Sequence, residues 1–315
     1  MRRVGLFSHP ACVQHDPGPG HPERPERLRA VLDHLRRSAL WPHLTVLEAS
    51  PAPRDVLERV HPPHYVDRIR EACRQGPTAL DPDTIAGPGS WEAAVRAAGA
   101  VTGAIDRVLE GSLAAGFCAV RPPGHHADIA RAMGFCLFNN VAVGARHAQA
   151  RHRLSRVLIV DWDVHHGNGT QAIFEEDPSV LYFSTHQFPY YPGTGAASER
   201  GRGRGEGFTL NVPLSSGSGD EALREAFEQV LAPRARAFRP ELILISAGFD
   251  AHHADPLAGL AVTEEGYRTL TRIVRALAAE TCQGRLVSVL EGGYQLAALA
   301  ASVEAHVQAL LEEGE

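Results

Sequence analysis

Short, nearly continuous apolar runs alternate with helix-like stretches along most of the chain. The runs have the character of strands that are buried on both faces of a parallel sheet. They lie at residues 117–120, 157–160, 180–183, 242–245 and 286–290. Helical periodicity lies between and beyond them, at residues 140–151, 221–237, 263–279 and 296–312. This alternation predicts an α/β fold in which helices cover both faces of one open, mostly parallel sheet.

The first 90 residues carry many prolines and turn residues, and their periodicity is weaker. Helices are predicted at residues 25–37 and 91–109, and the Gly- and Ser-rich segment 193–219 predicts loops. No internal repeat and no break in composition divides the chain. Since α/β folds of this size often form one domain, residues 1–315 are expected to be a single domain.

Composition and charge narrow the choice of partners and compartment. The formal net charge is −6, and all 31 basic residues are arginine, a balance that argues against a nucleic-acid-binding surface. No apolar stretch reaches membrane-spanning length, and the N-terminus does not resemble a signal peptide. Five scattered cysteines indicate reduced thiols rather than a cysteine zinc site. We expect a cytoplasmic protein that binds neither nucleic acid nor membrane, and the sequence leaves a homo-oligomer open.

Polar, glycine-rich segments follow four of the predicted strands. They are RPPGHH at 121–126, DWDVHHGNG at 161–169, SAGFD at 246–250 and EGGY at 291–294. In open α/β sheets, ligands bind outside the carboxyl ends of the strands. The four segments are therefore expected to meet in one crevice.

Asp163 and His165 are candidate ligands of one metal ion. Alternate residues of an extended segment share a face, so both side chains can point the same way. Asp250, at another strand end, is the best candidate for a third ligand. Carboxylate oxygen and imidazole nitrogen suit zinc, and three protein ligands leave a position for water. Such a run also occurs in solvated loops, but the apolar strand before it and the HGNG segment after it favour the metal.

The adjacent pair His125 and His126 follows a Pro-Pro-Gly turn at a strand end. Two histidines in this position have the character of paired acid–base groups, although one of them could simply be exposed. Tyr294 follows a double glycine, which favours a close approach of the backbone to a site. Its alternative role is that of a core aromatic residue.

These segments resemble the histone deacetylase family in its broad sense, which includes bacterial acetylpolyamine amidohydrolases and acetoin-utilisation-type proteins. The matching blocks occur in family order: HPERPERL at 21–28, RPPGHHA at 121–127, GFCLFNN at 134–140, VDWDVHHGNGTQ at 160–171, PGTG at 192–195, SAGFDAHHADPL at 246–257 and EGGY at 291–294. The HPE block, Asn168 and Glu291 resemble the class II branch. The resemblance implies the arginase/deacetylase fold.

The resemblance also implies a role for each matching position. Zinc would be bound by Asp163, His165 and Asp250, and a structural potassium ion by Asp161, Asp163, His165, Ser184 and Thr185. His126 matches the general base, Asp161 the carboxylate that orients His125, and Asn168 a second orienting group that here lacks a charge. Tyr294 matches the donor to the oxyanion. The walls of a narrow acyl-lysine tunnel match Gly134, Phe135, Tyr191 and Leu257.

The function implied is a zinc-dependent deacetylase that hydrolyses acetyl-lysine-type substrates with a metal-activated water. One alternative is an amidohydrolase of acetylpolyamines or other small acetylated amines. Leu257 argues for lysine, because polyamine-selective relatives can carry an acidic residue there. A weakly active acyl-lysine-binding protein is a further alternative that Tyr294 disfavours. A two-manganese ureohydrolase would need further carboxylates at the ends of the strands that hold the metal. This chain has His166 and Asn168 there instead.

Overall fold

Eight parallel strands form one sheet in the computed structural model, which describes residues 3–313. The order across the sheet is β2-β1-β5-β10-β9-β6-β7-β8. A separate antiparallel hairpin contains β3 and β4. The strands are β1 (Val4–Ser8), β2 (Leu44–Glu48), β3 (Thr78–Asp81), β4 (Thr84–Ala86), β5 (Ala115–Cys118), β6 (Val157–Asp161), β7 (Val180–Gln187), β8 (Thr209–Leu214), β9 (Leu242–Ala247) and β10 (Leu286–Leu290). The first two and last two residues of the expected domain 1–315 lie outside the described residues.

Helices cover both faces of this sheet. The neighbouring residues Gly116 and Phe117 of β5 point in opposite directions, the first toward Ala104 and the second toward His306. The helices are α1 (Glu26–Arg37), α2 (Arg54–Leu57), α3 (Pro63–Arg74), α4 (Ser90–Leu109), α5 (Asn140–His152), α6 (Asn168–Phe174), α7 (Asp220–Glu225), α8 (Ala232–Phe238), α9 (Glu264–Cys282) and α10 (Leu296–Leu311). Since Ala104 lies on α4 and His306 on α10, the predicted α/β fold class is confirmed.

The four strands that end in polar segments lie side by side in the sheet, in the order β5-β10-β9-β6. Their inner residues are buried, which explains why the sequence shows short apolar runs rather than alternation. Because all four strands are parallel, their carboxyl ends lie at one edge of the sheet. The arrangement brings the four segments together as expected.

Two predictions for the second half of the chain need correction. The loop predicted at 193–219 contains β8, an edge strand that pairs with β7. Its outer face is partly exposed and it includes Pro213, so it lacks the continuous apolar run of a central strand. The helix predicted at 221–237 has a wider turn at Ala226–Leu231, which separates α7 from α8.

The N-terminal quarter contains more regular structure than its weak periodicity predicted. Strands β1 and β2 occupy one side of the sheet, and α3 buries Tyr65, Val66 and Ile69. The two prolines at the start of α3 suggest a turn, yet proline is well tolerated in the first turn of a helix. Among residues 3–313, no helix combines the length and apolar character that crossing a membrane requires.

Candidate active site

Asp163, His165 and Asp250 bring one possible ligand atom each to within 4.8 Å of one another. Asp163 and His165 follow β6, and Asp250 follows β9, the neighbouring strand. The Nδ1 atom of His165 lies 3.1 Å from Oδ1 of Asp163 and 3.3 Å from Oδ2 of Asp250. All three side chains are buried, so the sequence-predicted ligand set forms one compact group.

The two carboxylates of this group are unfavourable neighbours without a cation. Burial and the charge of Asp163 raise the pKa of Asp250. Oδ1 of Asp250 accepts a hydrogen bond from the backbone N–H of Val164 at 2.9 Å. Oδ2 is buried and accepts no hydrogen bond, an exception to the rule that buried polar atoms are paired. The donor set therefore fits a divalent cation such as zinc.

Gly292 leaves the space that these carboxylates occupy. A Cβ atom at residue 292 would lie 1.9 Å from Oδ2 of Asp250 and 2.7 Å from Oδ2 of Asp163. The backbone N–H of Gly292 donates to Oδ2 of Asp163 at 2.8 Å. Glycine at 292 is thus required by the close approach of the backbone to the two carboxylates.

The tandem histidines lie beside this group, each with its own partner. His125 Nδ1 is 3.1 Å from Oδ2 of Asp161, and His126 Nδ1 is 2.8 Å from Oδ1 of Asn168. Burial disfavours the charged form of His125, but Asp161 and Asp163 outweigh it and raise the pKa to about 10. Burial, together with the neighbouring imidazoles, lowers the pKa of His126 well below its usual value. The neutral side chain is the one suited to accept a proton.

A pocket of about 400 Å³ opens above the histidines. Tyr191 packs edge-on against His126, with ring centroids 5.2 Å apart, and Phe135 packs edge-on against Tyr294 at 6.0 Å. Gly134 and Leu257 also line the pocket, so it contains all four tunnel residues expected from the sequence. Phe135 has a φ of 68°, a conformation that is uncommon for a non-glycine residue.

The β3–β4 hairpin holds the Gly134–Phe135 segment in that conformation. The backbone N–H of Phe135 donates to Oγ1 of Thr84 at 2.9 Å, and that of Gly134 donates to Oδ1 of Asp83 at 3.1 Å. Asp83 also lines the pocket. The pocket wall therefore contains an acidic side chain, Asp83, as well as the apolar Leu257.

Tyr294 is held by one contact to its backbone and another to its ring. Its N–H donates to Oδ2 of Asp255 at 2.7 Å, and the Arg27 guanidinium lies 4.8 Å from the centre of its ring. Burial raises the pKa of Tyr294 well above its usual value, although Arg27 opposes the effect. The phenol therefore keeps its proton and can donate it in a hydrogen bond.

The residues expected at a potassium site lie on β6, on β7 and in the segment that follows β6. Asp161 and Ser184 are paired across β6 and β7, and Thr185 follows. The Thr185 hydroxyl is buried and has no hydrogen-bond partner in the described part of the chain, which leaves its oxygen available to a cation. Oγ of Ser184 instead lies 2.8 Å from Nδ1 of His186.

The family model that describes the histone deacetylase domain matches residues 21–310. The chain belongs to the histone deacetylase family. This histone deacetylase homologue is 42% identical to the histone deacetylase-like amidohydrolase of Pseudomonas aeruginosa, over 93% of this chain and 82% of that protein. It is 44% identical to the human polyamine deacetylase HDAC10, over 92% of this chain and 44% of that protein.

A solved structure of the family has the same fold. The crystal structure of the HDA15 HD domain superposes with a TM-score of 0.94 and 41% identity, and the match covers 98% of this chain and 88% of that one. The predicted resemblance and the arginase/deacetylase fold are therefore confirmed. The relatives are deacetylases and amidohydrolases by name, which supports an enzyme of that class.

Two residues of this deacetylase-family site, Glu291 and Arg27, have roles that the sequence did not predict. Fully buried Glu291 accepts hydrogen bonds from the backbone N–H groups of Gly124 at 2.6 Å and His125 at 3.2 Å. Burial raises the pKa of its carboxyl group to about 7. Arg27, from the HPERPERL block, donates to the backbone oxygens of Glu291 and Gly293, both at 2.6 Å.

The arginine is itself held by a buried ion pair. Glu23 accepts from Nη1 of Arg27 at 2.8 Å and from Nη2 of Arg121 at 2.7 Å. Both arginines and the glutamate are fully buried. The HPERPERL block thus supports the EGGY turn, a role that the sequence signalled only by placing four charged residues in a short motif at the start of a helix.

Proposed function

We propose that this chain is a zinc-dependent amidohydrolase that removes acetyl groups from acetyl-lysine-type amines. The observation that carries the proposal is the convergence of three elements on one pocket. They are a buried Asp-His-Asp group, a pair of buried histidines and a tyrosine hydroxyl at the wall. The family membership supports the deacetylase class, and the site chemistry supports the metal and the substrate type.

Zinc bound by Asp163, His165 and Asp250 would polarise the acyl carbonyl and acidify the attacking water. The remaining work falls to the protein's own side chains. His126, neutral and hydrogen-bonded to Asn168, takes the proton of the water that attacks the acyl carbon. Asp161 fixes the orientation of His125 and stabilises its protonated form, which suits His125 to protonate the leaving amine.

Tyr294 completes the site by donating a hydrogen bond to the developing oxyanion. Such donors act most strongly when the structure already holds them in place, as Asp255 and Arg27 hold this residue. Thr185, Ser184, Asp161, Asp163 and His165 would bind the structural potassium ion. The cytoplasmic location, the absence of nucleic-acid and membrane partners, and a homo-oligomer stay predictions.

The apolar walls of the pocket favour a substrate with an aliphatic stem. Phe135 and Tyr191 form apolar walls, and Leu257 adds no charge. An acetyl-lysine side chain is uncharged along this length, so its burial between the rings leaves no cation without a partner. Acetylated lysine is therefore the substrate class that these walls support best.

An acetylated polyamine is the second candidate, favoured by one specific observation. Asp83 lines the same pocket as Leu257 and is partly exposed, so its carboxylate is available to pair with a secondary ammonium of a bound polyamine. The name of the human relative, polyamine deacetylase, is consistent with this chemistry on the same scaffold. A weakly active acyl-lysine-binding protein is the remaining alternative.

The test is a side-by-side assay of the purified protein with an acetyl-lysine peptide and an N-acetylated polyamine, together with metal analysis. We expect turnover of the peptide and one catalytic zinc ion per chain. Asp250→Ala should lose both the zinc and the turnover, whereas Asp33→Asn on the exposed face of α1 should lose neither. Full activity of metal-free protein would refute the zinc mechanism, and binding of acetyl-lysine without turnover would favour the binding protein.

A further inference from the structure

A second cluster of metal-ligating side chains lies on α4 and α5, apart from the candidate active site. Its members are Asp106, His147 and His152. Nε2 of His147 is 2.7 Å and Nε2 of His152 is 2.6 Å from the same carboxylate oxygen, Oδ1 of Asp106. One possible ligand atom from each residue lies within 4.8 Å of the other two. The Nε2 atoms of two imidazoles therefore lie beside the same carboxylate oxygen.

The two helices place this cluster where a positive charge is favoured. Asp106 lies in the last turn of α4, which ends at Leu109, and His152 is the last residue of α5. The final carbonyl groups of a helix lack intrahelical partners and carry a partial negative charge. Two such helix ends and the Asp106 carboxylate therefore favour a cation at the same position.

The cluster is separate from the catalytic group although one helix connects them. At the other end of α5, the side chains of Asn139 and Asn140 donate to the backbone oxygens of Ala127 and Pro122, both at 3.1 Å. Those oxygens belong to the tandem-histidine turn. The 13 residues of α5 span roughly 20 Å at about 1.5 Å per residue, so a ligand at Asp106 does not reach the acyl pocket.

We propose that Asp106, His147 and His152 form a second metal site, which binds a divalent first-row transition ion such as zinc. Two imidazole nitrogens and one carboxylate oxygen are a donor set that suits these ions. The side chain of His147 is nearly buried, so the position of its Nε2 atom is fixed. The side chains of Asp106 and His152 are 27% and 18% exposed. Water therefore has access to the remaining coordination positions.

Binding requires only a local adjustment. Metal–ligand distances of about 2.1 Å in a tetrahedron separate the ligand atoms by about 3.4 Å, so Asp106 and the two imidazoles must move apart from their present distances of 2.7 and 2.6 Å. His152 ends its helix, and its side chain has room to shift. Nε of Arg151 lies 3.3 Å from the same Asp106 oxygen, but its side chain is 56% exposed and can turn toward solvent. Without an ion, the same groups form an ordinary cluster of hydrogen bonds, and this is the competing interpretation.

The experiment is to dialyse the intact protein against a zinc buffer at low micromolar free zinc and to count the ions per chain. We expect His152→Ala and Asp106→Asn each to hold one zinc ion fewer than the wild type. His34→Ala is the matched control, because His34 also pairs with one carboxylate, Oε2 of Glu304 at 2.7 Å, but belongs to no three-residue ligand group among residues 3–313. An equal zinc count in the wild type and in both cluster variants would overturn the proposal.

A second readout separates this site from the catalytic one. The cluster variants should retain wild-type deacetylase turnover, since none of the three residues touches the acyl pocket. Added zinc should raise the Tm of the wild type and of His34→Ala more than that of His152→Ala, because an ion that binds only the folded state stabilises it. The same zinc-induced rise in all three proteins would show that the cluster binds no ion. Because the zinc count is a difference between variants, it holds even if the acetyl-lysine activity is not found.

Discussion

Glu291 accepts a hydrogen bond at 2.6 Å from the backbone N–H of Gly124, which lies in a different strand–loop segment 167 residues earlier. Its other oxygen accepts from the Ser246 hydroxyl at 3.0 Å. One buried carboxylate therefore connects the ends of β5, β9 and β10. These strand ends carry the tandem histidines, Asp250 and Tyr294, so the geometry of the site depends on a residue that does not line the pocket.

Replacing Glu291 by Gln should lower kcat about 10- to 100-fold, the range typical of residues that orient the groups of a metal site. Glutamine has the same size, and its carbonyl oxygen can still accept the N–H of Gly124, but it lacks the negative charge that helps to raise the pKa of His125. Zinc content should stay at the wild-type value because Glu291 is not in the proposed ligand set. Steady-state kinetics with metal analysis checks this, with Glu206→Gln on the surface as the control. Wild-type kcat in the Glu291 variant would show that the carboxylate only fills space.

The pair formed by His126 and Asn168 predicts a shift in pH dependence. The amide oxygen of Asn168 is uncharged, and burial lowers the pKa of His126 well below its usual value. In Asn168→Asp a nearby carboxylate would favour the protonated imidazole and raise that pKa by about 1 unit or more. A base works only when unprotonated, so the acidic limb of kcat/KM should move to higher pH by the same amount. Asn168→Ala should not move it upward, and an unshifted limb in the aspartate variant would contradict the general-base role.

The sequence was most informative where strands are buried on both faces. Such strands show continuous apolar runs, and the polar residues that follow them include Asp163, His165 and Asp250, which the structure brings together as a candidate metal-binding group. Edge strand β8 was missed because its outward residues and Pro213 remove the apolar run. The role of Glu291 could not be predicted, because its partners are backbone N–H groups, which leave no trace in side-chain types.

The support of Arg27 for the EGGY turn was hidden for a similar reason. Its two backbone acceptors are carbonyl oxygens of residues more than 260 positions away. A sequence pattern places a charged residue in a helix, but only tertiary packing decides that the residue is fully buried and paired with Glu23. The signal that could have suggested this role is a charged residue, Arg27, next to the buried apolar position Leu28 at the start of α1.

Tyr294→Phe should keep the fold and the zinc ion but lower kcat about 10²- to 10³-fold, the typical cost of one lost oxyanion donor. The phenylalanine ring retains the edge-on contact with Phe135 and the stacking on Arg27, so only the hydroxyl is removed. Tyr65→Phe is the matched control, because it also removes one hydroxyl, which donates to the Leu137 carbonyl away from the pocket. Near wild-type kcat in the Tyr294 variant would reduce the tyrosine to a packing role.

His61 predicts a loss of stability in acid. Nδ1 lies 3.0 Å from the Ile129 carbonyl, and Nε2 accepts the Asn139 N–H at 2.9 Å, so a proton on Nε2 would face another donor. Burial lowers the pKa of His61 to about 4. The unfolded chain, with a pKa near 6.5, therefore binds more protons between these values, and stability falls as pH drops through this window.

The contribution of His61 amounts to roughly 3 kcal/mol between pH 6.5 and 4. Denaturant unfolding of His61→Gln should show a shallower loss of free energy with falling pH than the wild type. His64→Gln, which changes an exposed histidine three residues away, should follow the wild-type curve. Parallel curves for the wild type and the His61 variant would mean that this histidine is not the acid-sensitive group.

Leu257→Glu should shift the ratio of kcat/KM toward acetylated polyamines by about tenfold, equivalent to ~1.4 kcal/mol of transition-state preference. The backbone of residue 257 is held independently of its side chain: its N–H donates to Oδ1 of Asp255 at 3.0 Å, and its carbonyl accepts from the Tyr190 hydroxyl at 2.5 Å. The substitution therefore adds a charge at the mouth without releasing the loop. A second ammonium of the polyamine would then meet a carboxylate instead of an apolar rim.

Two further variants separate charge from shape in this prediction. Leu257→Gln has nearly the size of glutamate but no charge, so it should leave the substrate ratio close to the wild-type value. Asp83→Asn removes the acidic group already present in the pocket and should lower polyamine turnover if that carboxylate contributes. A wild-type protein that prefers polyamines by tenfold, and loses that preference in Asp83→Asn, would move the substrate assignment from acetyl-lysine to acetylpolyamines. An equal response of the Glu and Gln variants would show that size at residue 257, and not charge, sets the preference.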